Sequence, residues 1–427
     1  MRSYLLPFVL LLFNSTLFSQ TLLHSYYHTN NQSIIPKSVT EYNNQIVIPY
    51  TLIGNSTRLP GIAFFENQNL VNAVAFNGDN EYVINQLLVS ENGNLLVSAE
   101  GYSYSGQESM YFMELENEQV INEFIFNENG NELDPFAIQE SNEGVFVAGF
   151  LKERELVNNS FFNMYSEEQL IYVGEFKKSG EKIWSNSIKI DGYNTGICNA
   201  MLKRSDCLVL LCHALNADKK SSTFLIKMNF KGEVLSIKKL FINQTNLSSN
   251  LIEQKGDSIL LTGTFLLNDN QHVFRVSLDK NLTLLSQSVF ILNKRFVING
   301  GRGNFVFGGV LNKDKGFDYA LFRFDDNGGQ FFQFGSVKSE QVVGLTDELL
   351  YGYSLTSSKE KTASIHVFDF NHKNMAFDEF PLSESIIKDT FQIKHSINSS
   401  FAESTINKGV EKLKMHSSFN QIKKLTP

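Results

Sequence analysis

Between Phe296 and Val337 four short apolar runs, FVI, FVFGGV, YALFRF and FFQFGSV, alternate with clusters of Asn, Gly, Asp and Lys. Apolar runs of this length bounded by turn residues are the pattern of short strands joined by hairpins. The pattern recurs along the chain. Its second run begins at Ile46, Leu95, Val145, Leu208, Ile259, Phe305 and Leu349, at intervals of 49, 50, 63, 51, 46 and 44 residues. A period of this size built from strands marks a propeller rather than a helical solenoid. Within each unit a first run leads into a polar turn, as in VTEYNNQ, LLVSENGN and LIEQKGDS, and two later runs flank a second turn, as in FFENQNLV and VSLDKNLTLLS. Asn, Gly and Asp suit such hairpins because they tolerate positive φ or bond their own backbone. No stretch sustains a 3.6-residue period. The sequence therefore predicts an all-β chain, a seven-bladed β-propeller of four-stranded antiparallel blades spanning residues 39–382.

The fifth residue of the second run is Tyr50, Ala99, Gly149, Cys212, Gly263, Gly309 and Tyr353 in successive units, small in five of the seven. A small residue in a strand interior marks a close approach. Gly149, Gly263 and Gly309 are accordingly expected to be buried against a neighbouring blade. Ring closure has two candidates. Within residues 21–38 the run LLHSYYHT reads as an outer strand that could complete the last blade, and so does Met375–Leu382, MAFDEFPL.

The ends differ from the repeats. Arg2, the apolar run Leu5–Phe13 and the polar exit Asn14–Gln20 form the pattern of a secretory signal peptide over residues 1–20. No later run reaches the ~18 apolar residues of a membrane-spanning helix. The chain is expected to be exported, to a periplasm, the cell surface or the extracellular space. Three cysteines are too few for a disulfide framework, so stability must come from a core. The net charge of −8 argues against nucleic acid as a partner, which requires basic stripes. Residues 383–427 are basic instead, with seven Lys against four Asp or Glu, and are expected to form a solvated extension.

The turn GEFKKSGEKIW, Gly174–Trp184, resembles the hairpin ends of pyrroloquinoline-quinone-type and related secreted bacterial propeller repeats; Lys231-Gly232 and Gly328-Gly329 echo it without the Trp. The resemblance implies the propeller fold. It carries no quinone site across, because no residues match one, and Trp184 is expected to pack between blades.

Candidate chemistry is sparse. The eight His residues are scattered, and His24 and His28 lie too far apart on a strand to chelate one ion. FDDNGGQ, Phe324–Gln330, lacks the acidic spacing and distal Glu of a calcium loop and falls where a hairpin turn is required. No nucleophile elbow is present. No catalytic, metal or cofactor residue is assigned. Cys198 and Cys212 fall near one another across a hairpin and form a candidate disulfide. The 63-residue interval comes from an insertion in the third unit, Leu151–Glu168, LKERELVNNSFFNMYSEE. Loops on a rigid scaffold are where function concentrates, and this one offers Arg154, Phe161, Phe162 and Tyr165 as candidate ligand contacts. The reading is an exported binding or interaction module, expected to be a monomer, for a glycan or protein ligand. The alternative is a glycan-active enzyme with carboxylates converging on the channel face, which requires titratable groups brought together in a pocket.

Overall fold

The computed structural model describes residues 22–28, 33–53, 58–77, 81–102, 108–128, 132–158, 163–242, 245–292, 294–314, 316–325, 328–335, 338–355 and 364–370, and then six separate strands between residues 380 and 425. Residues 1–20, expected to form a signal peptide, lie outside the described residues. Among them there is no helix, and thus none long and apolar enough to cross a membrane.

Seven antiparallel four-stranded units follow one another. Blade one runs from Ser33 to Asn77, blade two from Glu81 to Glu128, blade three from Glu132 to Ile190 and blade four from Thr195 to Ile242. Blade five spans Ser248–Leu292, blade six Phe296–Phe334, and blade seven begins at Ser339. The strand that completes blade seven is Leu22–His28, paired antiparallel to Ser364–Asp369. The N-terminal candidate therefore closes the ring, while Phe380–Leu382 pairs outside blade six.

Hairpin turns sit where the polar clusters predicted them. Asn43-Asn44, Asn67-Gln68, Asn117-Glu118 and Asn268-Asp269 all have positive φ at both central positions, the geometry whose twist matches the flanking strands. The core is divided rather than central. Seven apolar clusters each join two adjacent blades, for example Ile34, Tyr50 and Phe65 of blade one with Val343 and Tyr351 of blade seven. The chain's many Phe residues serve these joints, as where Phe126 of blade two meets Phe176 of blade three at 4.0 Å. Flat rings fill the gap between stacked twisted sheets with much apolar area for little rotamer entropy.

The first strand of blades two to seven carries a β-bulge, opposite the fifth residue of the second strand in blades two to five and opposite the fourth, Gly308 and Gly352, in blades six and seven. This revises the expectation for the glycines. All three are buried, but a Cβ on Gly149 would lie 1.9 Å from the Asp134 carbonyl, and one on Gly263 2.2 Å from the Ser248 carbonyl, both in the same blade. Only Gly309 meets the neighbouring blade, through Gln341. The bulge, not the adjacent sheet, demands the small residue.

Residues 383–427 also depart from expectation. Instead of a solvated tail, the strands Gln392–His395, Ser399–Glu403, Ile406–Gly409, Lys414–Ser417 and Ile422–Leu425 pair in turn with the outermost strands of blades four, three, two, one and seven. With Phe380–Leu382 on blade six, they form a belt of fifth strands around the rim. The outer strand of each blade offers unpaired N–H and C=O groups, and the extended chain satisfies them.

Candidate functional site

The insertion in blade three is a hairpin. Its arms, Gly144–Asn158 and Asn163–Lys177, are 15 residues each, against six to ten for the equivalent strands of the other blades. Register is unbroken from Gly144↔Lys177 to Asn158↔Asn163, so the segment expected to be a loop extends the sheet outward as a two-stranded ribbon. Arg154 stands opposite Glu167, and Tyr165 opposite Leu156. These four positions share one face of the ribbon by the two-residue strand period. Phe161 and Phe162 lie outside the described residues.

At the foot of the ribbon a single parallel bridge, Gln169↔Thr195, ties blade three to blade four. Beside it lies a small cleft of ≈ 10 Å³, lined by Leu170, Ile188, Lys189, Tyr193, Thr195 and Ala214. Tyr193 is set by the Asp191-Gly192 turn, in which Gly192 takes φ +81° and the Tyr193 amide donates to the Ile190 carbonyl at 3.0 Å. Its ring stands edge-on to Phe224, with centroids 5.0 Å apart. Lys239 lies 5.6 Å over the same ring and donates to the phenol oxygen at 2.8 Å, while Ser222 Oγ is 3.1 Å from that oxygen. A half-buried aromatic with an ammonium group over it can stack a sugar or planar group and hold an anion beside it. Sequence reasoning missed Tyr193, Lys189 and Lys239, because they come from the end of one blade and the outer strand of the next. The Asp-Gly pair before Tyr193 was the only local signal.

A second cluster joins blades two and three. Asn85, the bulged residue of blade two, donates through Nδ2 to Asp134 Oδ1 at 3.2 Å and to the Pro135 carbonyl at 2.7 Å. Glu100 shares a hydrogen bond with Asp134. Burial raises the Glu100 carboxyl above its ordinary range, against the hydrogen bonds from Asp134 and Asn85 and the positive charges of Lys37 and Arg58, which act to lower it. Both acids are buried, as is nearby Glu132, which pairs with Lys152 at 3.1 Å. Asn299 repeats the Asn85 contact at the joint of blades six and seven, donating to Gln341 Oε1 at 2.9 Å and the Val342 carbonyl at 3.0 Å. Asn also fills the bulge of blades four and five, as Asn199 and Asn250. The recurrence was visible in the sequence at a fixed slot in the first runs.

The remaining candidates are structural. Trp184 donates from Nε1 to Glu175 Oε2 at 2.9 Å and to the Phe230 carbonyl of blade four at 3.0 Å, with its ring against Gly232. Cys198 and Cys212 are cross-strand neighbours, as the hairpin predicts, but both are free buried thiols rather than a disulfide. Each packs as a small apolar group in the joint between blades three and four, and burial, with the Cys198 hydrogen bond, pushes the Cys212 thiol well up. Among the described residues no three His, Cys, Asp or Glu side chains are grouped to hold a metal ion. FDDNGGQ links the antiparallel pair Gly316–Asp325 and Gly328–Phe334, and Asp326 and Asn327 within it lie outside the described residues.

No family model matches the chain, and no curated protein matches it. Among solved structures, it is similar to the subtype N11 neuraminidase-like protein of A/flat-faced bat/Peru/033/2010 (H18N11), at 12% identity over 79% of this chain and 96% of that one, with a TM-score of 0.40. It is similar to Drosophila Semaphorin 1a, extracellular domains 1-2, at 9% identity over 83% and 88%, with a TM-score of 0.41. A tail fiber of Staphylococcus aureus phage P68 aligns at 7% identity over 86% and 96%, with a TM-score of 0.20. No site residue is carried over from any of them.

Proposed function

We propose that this propeller is an exported binding module, acting in the periplasm, at the cell surface or outside the cell, and that its ligand is an anionic glycan. The observation that supports this reading is the Tyr193 ring with Lys239 over it, at the base of the blade-three ribbon. A rigid scaffold with one extended hairpin beside an aromatic and two lysines, Lys189 and Lys239, matches a hydroxyl-rich chain bearing carboxylate or sulfate groups.

The enzyme reading draws on the Glu100–Asp134 pair, which supplies two adjoining carboxyls with one held protonated above the usual range. Their surroundings favour a joint. Asn85 ties them to the Pro135 backbone, and Asn299 makes the same inter-blade contact with Gln341 in place of an acid.

A glycan array, run with the mature protein and with Tyr193→Ala, tests the proposal. Carboxylated or sulfated glycans should bind, and Tyr193→Ala should weaken them at least tenfold, in line with about 1–3 kcal/mol for one stacking aromatic. Binding that is indifferent to Tyr193, or restricted to neutral glycans, would refute the assignment.

A further inference from the structure

We infer that Lys178 and Asn94 are reactive partners, and that Glu114 between them promotes an isopeptide bond from Lys178 Nζ to Asn94 Cγ, stapling blade three to blade two. The three groups come from separate elements. Asn94 ends the turn before the second strand of blade two, and Glu114 lies on that blade's third strand, Glu108–Glu116. Lys178 follows the third strand of blade three, Asn163–Lys177. Gly180 closes that turn at φ +83°, its amide donating to the Lys177 carbonyl at 2.8 Å. The turn thereby carries Lys178 across the joint to Glu114.

The amine and the amide meet on one oxygen. Lys178 Nζ donates to Glu114 Oε1 at 2.6 Å, and Asn94 Nδ2 donates to the same atom at 2.8 Å. Asn122 Nδ2 holds the other carboxylate oxygen at 2.7 Å, which fixes the plane of the group. The Asn94 backbone is pinned as well, its amide donating to Ser90 Oγ at 2.9 Å. Glu140 is a more distant partner of Lys178, at 3.8 Å.

An ion pair requires only the lysine and the glutamate. A primary amide on the same oxygen adds an acyl donor to a nucleophile and a proton carrier. Glu114 is 1% exposed and Asn94 7%, so water, the competing nucleophile, is kept from the amide carbonyl. Fixing the groups side by side also removes the entropy cost of their encounter. Burial raises the Glu114 carboxyl, but the hydrogen bonds from Asn94, Lys178 and Asn122 outweigh it and hold the group below its ordinary range. Glu114 is therefore a carboxylate at neutral pH, able to take a proton.

The step balances without a co-reactant. Glu114 accepts one proton from the Lys178 ammonium, and the freed Nζ lone pair attacks Asn94 Cγ. Glu114 passes that proton to Nδ2 and takes a second from Nζ as the Cγ–Nδ2 bond breaks. Ammonia departs and carries the second proton away as ammonium, which restores the carboxylate. The lysine's charge leaves with it, and nothing is oxidised or reduced. All three cysteines are free, so no disulfide ties one blade to another. This bond would supply such a tie, and it is independent of the glycan reading.

Peptide mapping of the mature full-length protein by mass spectrometry tests it. Digestion after prolonged incubation of the folded chain should release a branched peptide joining Lys178 to Asn94. Its mass should fall short of its two arms together by one ammonia. Lys178→Arg, which keeps the charge at the joint, and Glu114→Gln should yield linear peptides alone, with circular dichroism confirming their folding. The wild-type map decides the matter even where a variant does not fold. Linear wild-type peptides carrying unmodified Lys178 and Asn94, a branch to Asn122 instead, or an undiminished branch in Glu114→Gln would each overturn the proposal.

Discussion

At the scale of single residues, the buried histidines set the response to acid. His366 lies beside Ser354, with Nε2 2.8 Å from Oγ. Burial, with the Lys338 charge adding, lowers its pKa to about 4. Burial also lowers His213 and His272. An unfolded His takes a proton near pH 6.5, so between that pH and about 4 the unfolded chain binds more protons than the native one. Stability from neutral His366 is thus complete above pH 6.5 and lost as pH falls toward 4. Glu100 opposes this trend: its raised pKa means that its contribution is present at low pH and lost as pH rises. Replacing His366 with Asn should flatten the acid limb of the melting curve by up to about 3 kcal/mol between pH 7 and pH 4.5. Parallel pH profiles for the variant and wild type would contradict this assignment.

At the scale of elements, the bulge in the first strand is the local device that repeats. It turns one residue per blade out of register, and in blades two and six that residue is an Asn reaching the next blade's backbone. It also presses the first strand's backbone onto the residue facing the bulge in the second strand, Gly149 in blade three, Gly263 in blade five and Gly308 in blade six. Large side chains at the slot in blades one and seven are accommodated elsewhere: Tyr50 lies over Gly61, where a Cβ would come within 2.3 Å of the ring. Gly263→Leu should therefore destabilise by at least about 1–3 kcal/mol, since the obstruction is backbone rather than a movable side chain. Gly309→Ala, which meets the flexible Gln341 side chain at 2.9 Å, should cost less. Thermal melting of both variants checks the order, and equal costs would show that the bulge is not what fixes the slot.

At the scale of the whole molecule, two segments far from the repeats hold the ring together. The N-terminal strand closes blade seven, and the belt caps the outer edges of six blades. Arg302 adds a polar tie across the closure, 2.7 Å from Glu41 of blade one and 3.2 Å from Asp347 of blade seven, although exposed pairs of this kind contribute little. Ending the chain after Leu382 should leave the seven inter-blade clusters intact and preserve the far-ultraviolet spectrum. It should lower the melting temperature by several degrees and promote aggregation, because five further strand edges are opened. A truncated protein that melts like wild type and stays dispersed would show that the belt contributes nothing to stability.

The repeat period, the strand count per blade and the hairpin positions were legible in the sequence, because they depend on local chemistry. Alternating apolar residues make a sheet face, and Asn or Gly at a tip permits positive φ, as at Asn67-Gln68 and Asn117-Glu118. The tertiary structure alone decided between the two candidate closing strands, since Leu22–His28 and Met375–Leu382 have similar local patterns and only the ring fixes which edge each can reach. It also decided the belt, whose short strands have no face to bury until blade edges are presented to them. The cleft at Tyr193 is of the same kind. Lys189, Tyr193 and Lys239 are up to 50 residues apart in sequence, and they meet because blade four packs against blade three.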